Sequence, residues 1–192
     1  MTWTLDPAHS AVTFSAKHMM VTTVRGSVAI READVDFVPD RPEASSVRVV
    51  LDATSIDTGQ TMRDQHLRSA DFLETETHPT IEFASTAIEP RGGERYAIRG
   101  DLTIRGVTRQ VVLDATLGGV VADFQGGGRR AAFSARTKID REEFGLTWNV
   151  ALEQGGWLVS REIAVEIELA ITAAAAARTA GSDRRDREEI VA

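Results

Sequence analysis

Tyr96–Leu117 reads YAIRGDLTIRGVTRQVVLDATL, two alternating stretches joined at Arg105-Gly106. Tyr96, Ile98, Gly100, Leu102 and Ile104 fall on one side, and Ala97, Arg99, Asp101 and Thr103 on the other. A period of two marks a half-buried strand, because successive side chains of a strand point to opposite faces. Arg105-Gly106 is the kind of pair that makes a tight hairpin connection. The chain returns through Val111, Leu113, Ala115 and Leu117 with the same period. Strands with one apolar and one polar face suit an antiparallel barrel or sandwich better than an α/β fold, whose strands are covered on both sides.

The same pattern recurs on either side. Val12, Phe14, Ala16 and His18 share one face of Ala11–His18, after a short strand at Trp3–Leu5 stopped by Asp6-Pro7. Gly26 reads as a break before a longer strand over Val28–Val38, which Glu32 and Asp34 interrupt. Val47, Val49, Leu51 and Ala53, then Ile81 and Phe83, continue the series. Phe133, Ala135 and Thr137 follow, and Ile163, Val165, Ile167 and Leu169 close it opposite Glu162, Glu166 and Glu168. The count comes to about eight strands with turns at short intervals.

One stretch departs from the pattern. Thr54–Phe72, TSIDTGQTMRDQHLRSADF, concentrates Asp57, Arg63, Asp64, His66, Arg68 and Asp71. Thr61 followed by Asp64 fits a helix start, and Asp64 with Arg68 has the favourable order for a pair on one helix face. The expectation is a short helix between two strands, with Leu67 against the protein and its acids and arginines paired with one another. Ser69 reads as a second cap.

The chain has 192 residues, enough for one domain that buries roughly 70% of its unfolded surface. A net charge of −7 argues against a nucleic-acid footprint, which needs a basic face. There is no cysteine, which excludes disulfides, thiol catalysis and thiolate metal sites. MTWTLDPAHS has neither the basic nor the apolar region of a signal peptide, and no apolar run is long enough to span a bilayer. A soluble, cytoplasmic protein is expected. From Ala173 the β-pattern gives way to an alanine run and GSDRRDREE, so residues 1–172 are read as the barrel and 173–192 as a charged, flexible extension.

The chemistry-bearing residues admit bland readings. His9, His18, His66 and His78 lack metal-ligand spacing, and a metal- or haem-binding barrel would have to use His18 or His66. Asp57, Asp64 and Asp71 are available for acid–base work beside His66, the basis of a rival reading as a small enzyme; charges on a short helix more often form a salt-bridged lid. The glycines of Gly126–Gly128 precede no phosphate-cradling Lys-Ser/Thr. The inward faces mix Phe14, Phe83, Leu102 and Phe133 with Ala16, Ala53, Gly100, Ala115 and Ala135. Tapered packing and an internal cavity account for that mixture equally well.

Five blocks in order resemble the YceI-like family, the lipocalin-like polyisoprenoid-binding proteins. They are W-x-L-D-P-x-H-S at Trp3–Ser10 with Phe14, His18 and Gly26; S-I-D-T-G at Ser55–Gly59 with R-D-x-H-L-R-S-x-D-F at Arg63–Phe72; H-P-T-I-E-F at His78–Phe83; G-D-L-T-I-R-G-V-T at Gly100–Thr108; and D-R-E-E-F-G-L at Asp140–Leu146. The resemblance spans Trp3 to about Ile171. It implies an all-β, lipocalin-like antiparallel barrel around a long apolar pore. Binding, carriage or storage of an amphiphilic lipid, a polyisoprenoid or isoprenoid quinone, without turnover and with no cofactor besides that ligand, is the function it implies, and a homodimer the form. Many relatives are exported, whereas no export signal is visible here. Phe14, Phe83, Leu102, Phe133 and Trp148 are the expected lining, with His18 on the same inward face as Phe14. Arg63 and His66 are expected at the polar end of the ligand or in a lid over the mouth.

Overall fold

The structure is a computed structural model, and it describes residues 2–124, 128–153 and 155–174. Its strands are β1 (Thr4–Leu5), β2 (Ala11–His18), β3 (Thr22–Asp36), β4 (Ser46–Asp57), β5 (Thr80–Pro90), β6 (Arg95–Ile104), β7 (Val107–Ala122), β8 (Arg129–Asp140) and β9 (Val159–Ala173). One helix, α1 (Thr61–Arg68), joins β4 to β5. Every pairing is antiparallel between chain neighbours until β9, which pairs with both β8 and β2 and so closes a barrel of β2 to β9. Closure pairs the strands from β2 to β9 on both sides, as an open sheet could not. β1 continues the line of β2 along β9, with Thr4 opposite Thr172 and Leu5 opposite Ile171.

The β6–β7 hairpin forms as its alternation requires. Ile104 faces Val107 across Arg105 and Gly106, which have φ of 50° and 73°. Two positive φ values make a primed turn, whose twist matches the flanking strands. Elsewhere the inward face changes parity at bulges, which one-dimensional alternation does not show. In β3, Val28 and Ile30 face inward, but an irregularity between Ile30 and Glu32 hands that role to Val35, leaving Glu32 and Asp34 exposed. In β5 the shift between Ser85 and Ala87 turns Ile88 inward after Ile81 and Phe83.

Gly26 is not the break expected of it. It lies within β3 opposite Phe14, and β3 begins at Thr22. A Cβ at Gly26 would stand 2.6 Å from the Phe14 ring, and one at Gly100 would stand 2.4 Å from the Phe83 ring. Each glycine lets a phenyl ring lie flat against the barrel wall, which a side chain would forbid. β9 runs one residue beyond the expected boundary, to a buried Ala173; the charged extension and most of the Gly126–Gly128 loop lie outside the described residues.

Two apolar clusters occupy opposite ends of the barrel. Phe72, Leu73, Ile104, Ile139, Phe144 and Leu146 pack beneath α1. Trp3, Phe37, Leu117, Leu169 and Ile171 pack at the other end, where Trp3 Nε1 donates to the Phe37 carbonyl at 2.9 Å. Asp6 ties this second end together: it caps the turn Pro7–His9 through Ala8 N and accepts from Arg130 at the start of β8. The hydrogen bond from Arg130, then that from His9, holds its carboxyl at about 2. Stability from this contact is therefore complete above the ordinary carboxylate range, about pH 4, and is lost as the pH falls through about 2. Stability of Asp6→Asn, followed by circular dichroism in denaturant as the solution is acidified, is expected to fall less steeply than that of the parent.

Candidate functional site: an apolar lumen with a cationic end

Between the two clusters lies a cavity of about 720 Å³, within the roughly 300–1,000 Å³ range of small-molecule sites. The inward residues of β9, namely Ile163, Val165, Ile167 and Leu169, show how its wall is made: every second side chain of a strand faces it. The choice between tapered packing and a cavity is thereby decided. Ala115 faces Ala135 across β7 and β8, and both line the space with methyl groups. Gly26 and Gly100 hold the Phe14 and Phe83 rings against the wall and out of the lumen. Small residues keep it open.

All eight side chains singled out from sequence border this cavity. Phe14, Phe83 and Leu102 line its wall, and Phe133 lies toward the Trp3 end, 5.0 Å from Phe37 in an edge-to-face contact. His18, Arg63, His66 and Trp148 border it toward α1. His66 stands edge-on to Trp148 at 4.5 Å and to Phe72 at 5.0 Å, and its Nε2 donates to Asp71 at 2.9 Å. Met62, on α1, also borders the cavity and is 76% exposed, so the helix sits at an opening.

α1 forms where expected but is held differently. Its cap is Gln60, whose side chain accepts from Arg63 N, and not Thr61. Ser69 closes it, with its hydroxyl donating to the His66 carbonyl and accepting from Asp71 N. The expected pairing of acids with arginines gives way to bonds with the end of β4. Arg68 donates to the carbonyls of Thr54 and Ile56, and Arg63 to the hydroxyl and carbonyl of Thr58. Asp64 is buried and accepts from Thr58 N and Oγ1. Burial alone pushes its carboxyl up, but the bonds from Thr58 outweigh this and hold it below the ordinary value. Asp57 accepts from Gly59 N. The three carboxylates thus face separate structural partners and do not converge on one reacting position. Among the described residues no group of three or more His, Asp or Glu side chains is placed to hold a metal ion. No described helix is long and apolar enough to cross a membrane.

Sequence reading missed Arg141. It opens the 3₁₀ turn Arg141–Phe144, is 3% exposed and borders the cavity. Nε donates to the Ser160 carbonyl at 3.0 Å and Nη1 to the Leu146 carbonyl, while the guanidinium stands 5.9 Å from the Phe72 ring centroid. Nη2 is buried without a hydrogen-bond partner among the described residues. Burial pushes the group's pKa down. Its place in the D-R-E-E-F-G-L block was visible, but its burial depends on residues distant in the chain.

Residues 3–171 match the YceI-like domain model. Protein YceI of Escherichia coli is 39% identical over 138 residues, covering 72% of this chain and 71% of that protein. The crystal structure of BcnA from Burkholderia cenocepacia superposes with a TM-score of 0.73 at 26% identity, over 87% of this chain and 99% of that one. A polyisoprenoid binding domain from Saccharophagus degradans shares the fold at a TM-score of 0.67 and 15% identity, over 90% of this chain and 99% of that one. With its five sequence blocks and its closed eight-stranded barrel, this chain belongs to the YceI-like family.

Proposed function

We propose that this protein binds a long-chain amphiphilic lipid of the polyisoprenoid or isoprenoid quinone class inside its barrel, and that it carries or stores that lipid without turnover. The observation that carries this reading is the apolar cavity of about 720 Å³ running between the two end clusters. Each methylene removed from water contributes about 0.8 kcal/mol, so about twenty apolar carbons contribute roughly 16 kcal/mol gross. Ordering the chain and losing its translational freedom offset much of this. The apolar tail supplies affinity, and the few polar groups orient the head. The likeness to a polyisoprenoid binding domain supports the choice of lipid class. An enzyme reading finds little support in carboxylates that bond separately to Thr58, Gly59 and His66 and do not converge.

Organic extraction of the purified protein followed by mass spectrometry is expected to release a long-chain lipid, and protein stripped of it is expected to take up isoprenoid quinone or polyprenyl lipid in titration. A protein that yields no lipid and takes none up would overturn the reading.

A further inference from the structure

The charge around the cavity is one-sided. The protein carries a net charge of −7, yet Lys17, Arg63 and Arg141 border the lumen and no described Asp or Glu does. Arg141 is the extreme case. The carboxylates flanking it in sequence are taken by another arginine: Arg161 Nη2 meets Asp140 at 2.6 Å and its Nε meets Glu142 at 3.0 Å. Arg63 and His66 have partners in Thr58 and Asp71. Among the described residues Arg141 donates only to carbonyls and stands near a ring face, and Nη2 has no hydrogen-bond partner. A cation withdrawn from water without an acidic partner is a costly arrangement, and buried charges are ordinarily paired. Arginine is also the side chain best suited to planar recognition of carboxylate and phosphate.

We propose that Arg141 receives the oxyanion of a phosphate- or carboxylate-headed lipid. The head then lies at the α1 end beside the Arg141 guanidinium, and the tail runs toward Phe133 and Tyr96 at the opposite end. Arg63 and Lys17 add positive potential at the same end of the lumen. This rests on the lumen being a lipid site and adds the charge and direction of its occupant.

The test uses ligands that share a tail and differ in the head: farnesyl phosphate against farnesol, and oleate against oleyl alcohol, each titrated into lipid-free protein. Each oxyanion is expected to bind at least about tenfold more tightly than its alcohol. In Arg141→Gln that preference is expected to vanish with the alcohol's Kd unchanged, and Arg141→Lys is expected to keep part of it. A preference for phosphate alone, or for carboxylate alone, supports the proposal and names the head. Equal affinities in the parent protein overturn it and point to a neutral head, and so does a preference that Arg141→Gln leaves intact. Should Arg141→Gln not fold, the parent titrations and Arg141→Lys still decide. Binding of the alcohols without preference for the anions sinks this proposal and leaves the lumen reading standing. Failure of all four ligands sinks this proposal, and the lumen reading falls with it only where extraction also yields no lipid and isoprenoid quinone is not taken up.

Discussion

Ala135→Trp is expected to weaken binding of a long-chain lipid by roughly 50-fold while the barrel still folds. Ala135 faces Ala115 across β7 and β8, and both present only a methyl group to the lumen. An indole there occupies space that the proposed ligand needs and leaves the strand pairing untouched. Displacing about three methylenes at about 0.8 kcal/mol each removes about 2.4 kcal/mol, and 1.4 kcal/mol is tenfold in Kd. The ordinary penalty for overpacking, about 1–3 kcal/mol, arises where a core is already full; here the ring enters a void. Titration of lipid-free protein with an isoprenoid quinone gives the affinity, and urea unfolding gives the stability. Unchanged affinity would show that the ligand does not pass Ala135. Stability lost in parallel with affinity would show that this part of the wall is packed and not open.

Phe144→Ala is expected to lower stability by about 3–5 kcal/mol, the cost of deleting a large buried ring. Phe144 is 1% exposed and packs with Phe72, Leu73, Ile139 and Leu146 where α1 closes the barrel. The same cluster holds the Phe72 ring beneath Arg141, so the variant also loosens the polar end of the lumen. The measurement is a fall in the urea midpoint at an unchanged slope. Phe124 is the internal standard: at 97% exposure its replacement by alanine is expected to stay within about 0.5 kcal/mol of zero. A Phe144 variant as stable as the Phe124 variant would mean that the cluster collapses around the missing ring.

Strands were legible because each has one wet and one dry face, and that asymmetry prints a period of two directly into the chain. The β6–β7 hairpin needed nothing more, since Arg105-Gly106 specifies its own turn. The parity changes in β3 and β5 were not legible, because a bulge is a relation between two strands and leaves no fixed mark on either. Gly26 was misread for the same reason. Its meaning lies in the Phe14 ring across the ladder, not in its own stretch of chain.

The bordering residues show the same division. Phe14, Phe83, Leu102 and Phe133 could be named because inward position follows from alternation, and His18, Arg63, His66 and Trp148 also border the cavity. Arg141 could not, because an arginine in a charged turn reads as exposed until the fold buries it.

By itself, then, the sequence determined the all-β class, the short helix after β4, the family and the faces that turn inward. These depend on local periodicity, turn chemistry and residue order. Only the tertiary structure decided that the small inward residues enclose a lumen, that Arg63, Asp64 and Arg68 of α1 bond to the end of β4 and to Thr58 and not to one another, and that Arg141 is buried with a donor that has no partner among the described residues. Space, hydrogen-bond satisfaction and desolvation are sums over neighbours far apart in the chain, and closure of the barrel by β9 is what brings those neighbours together.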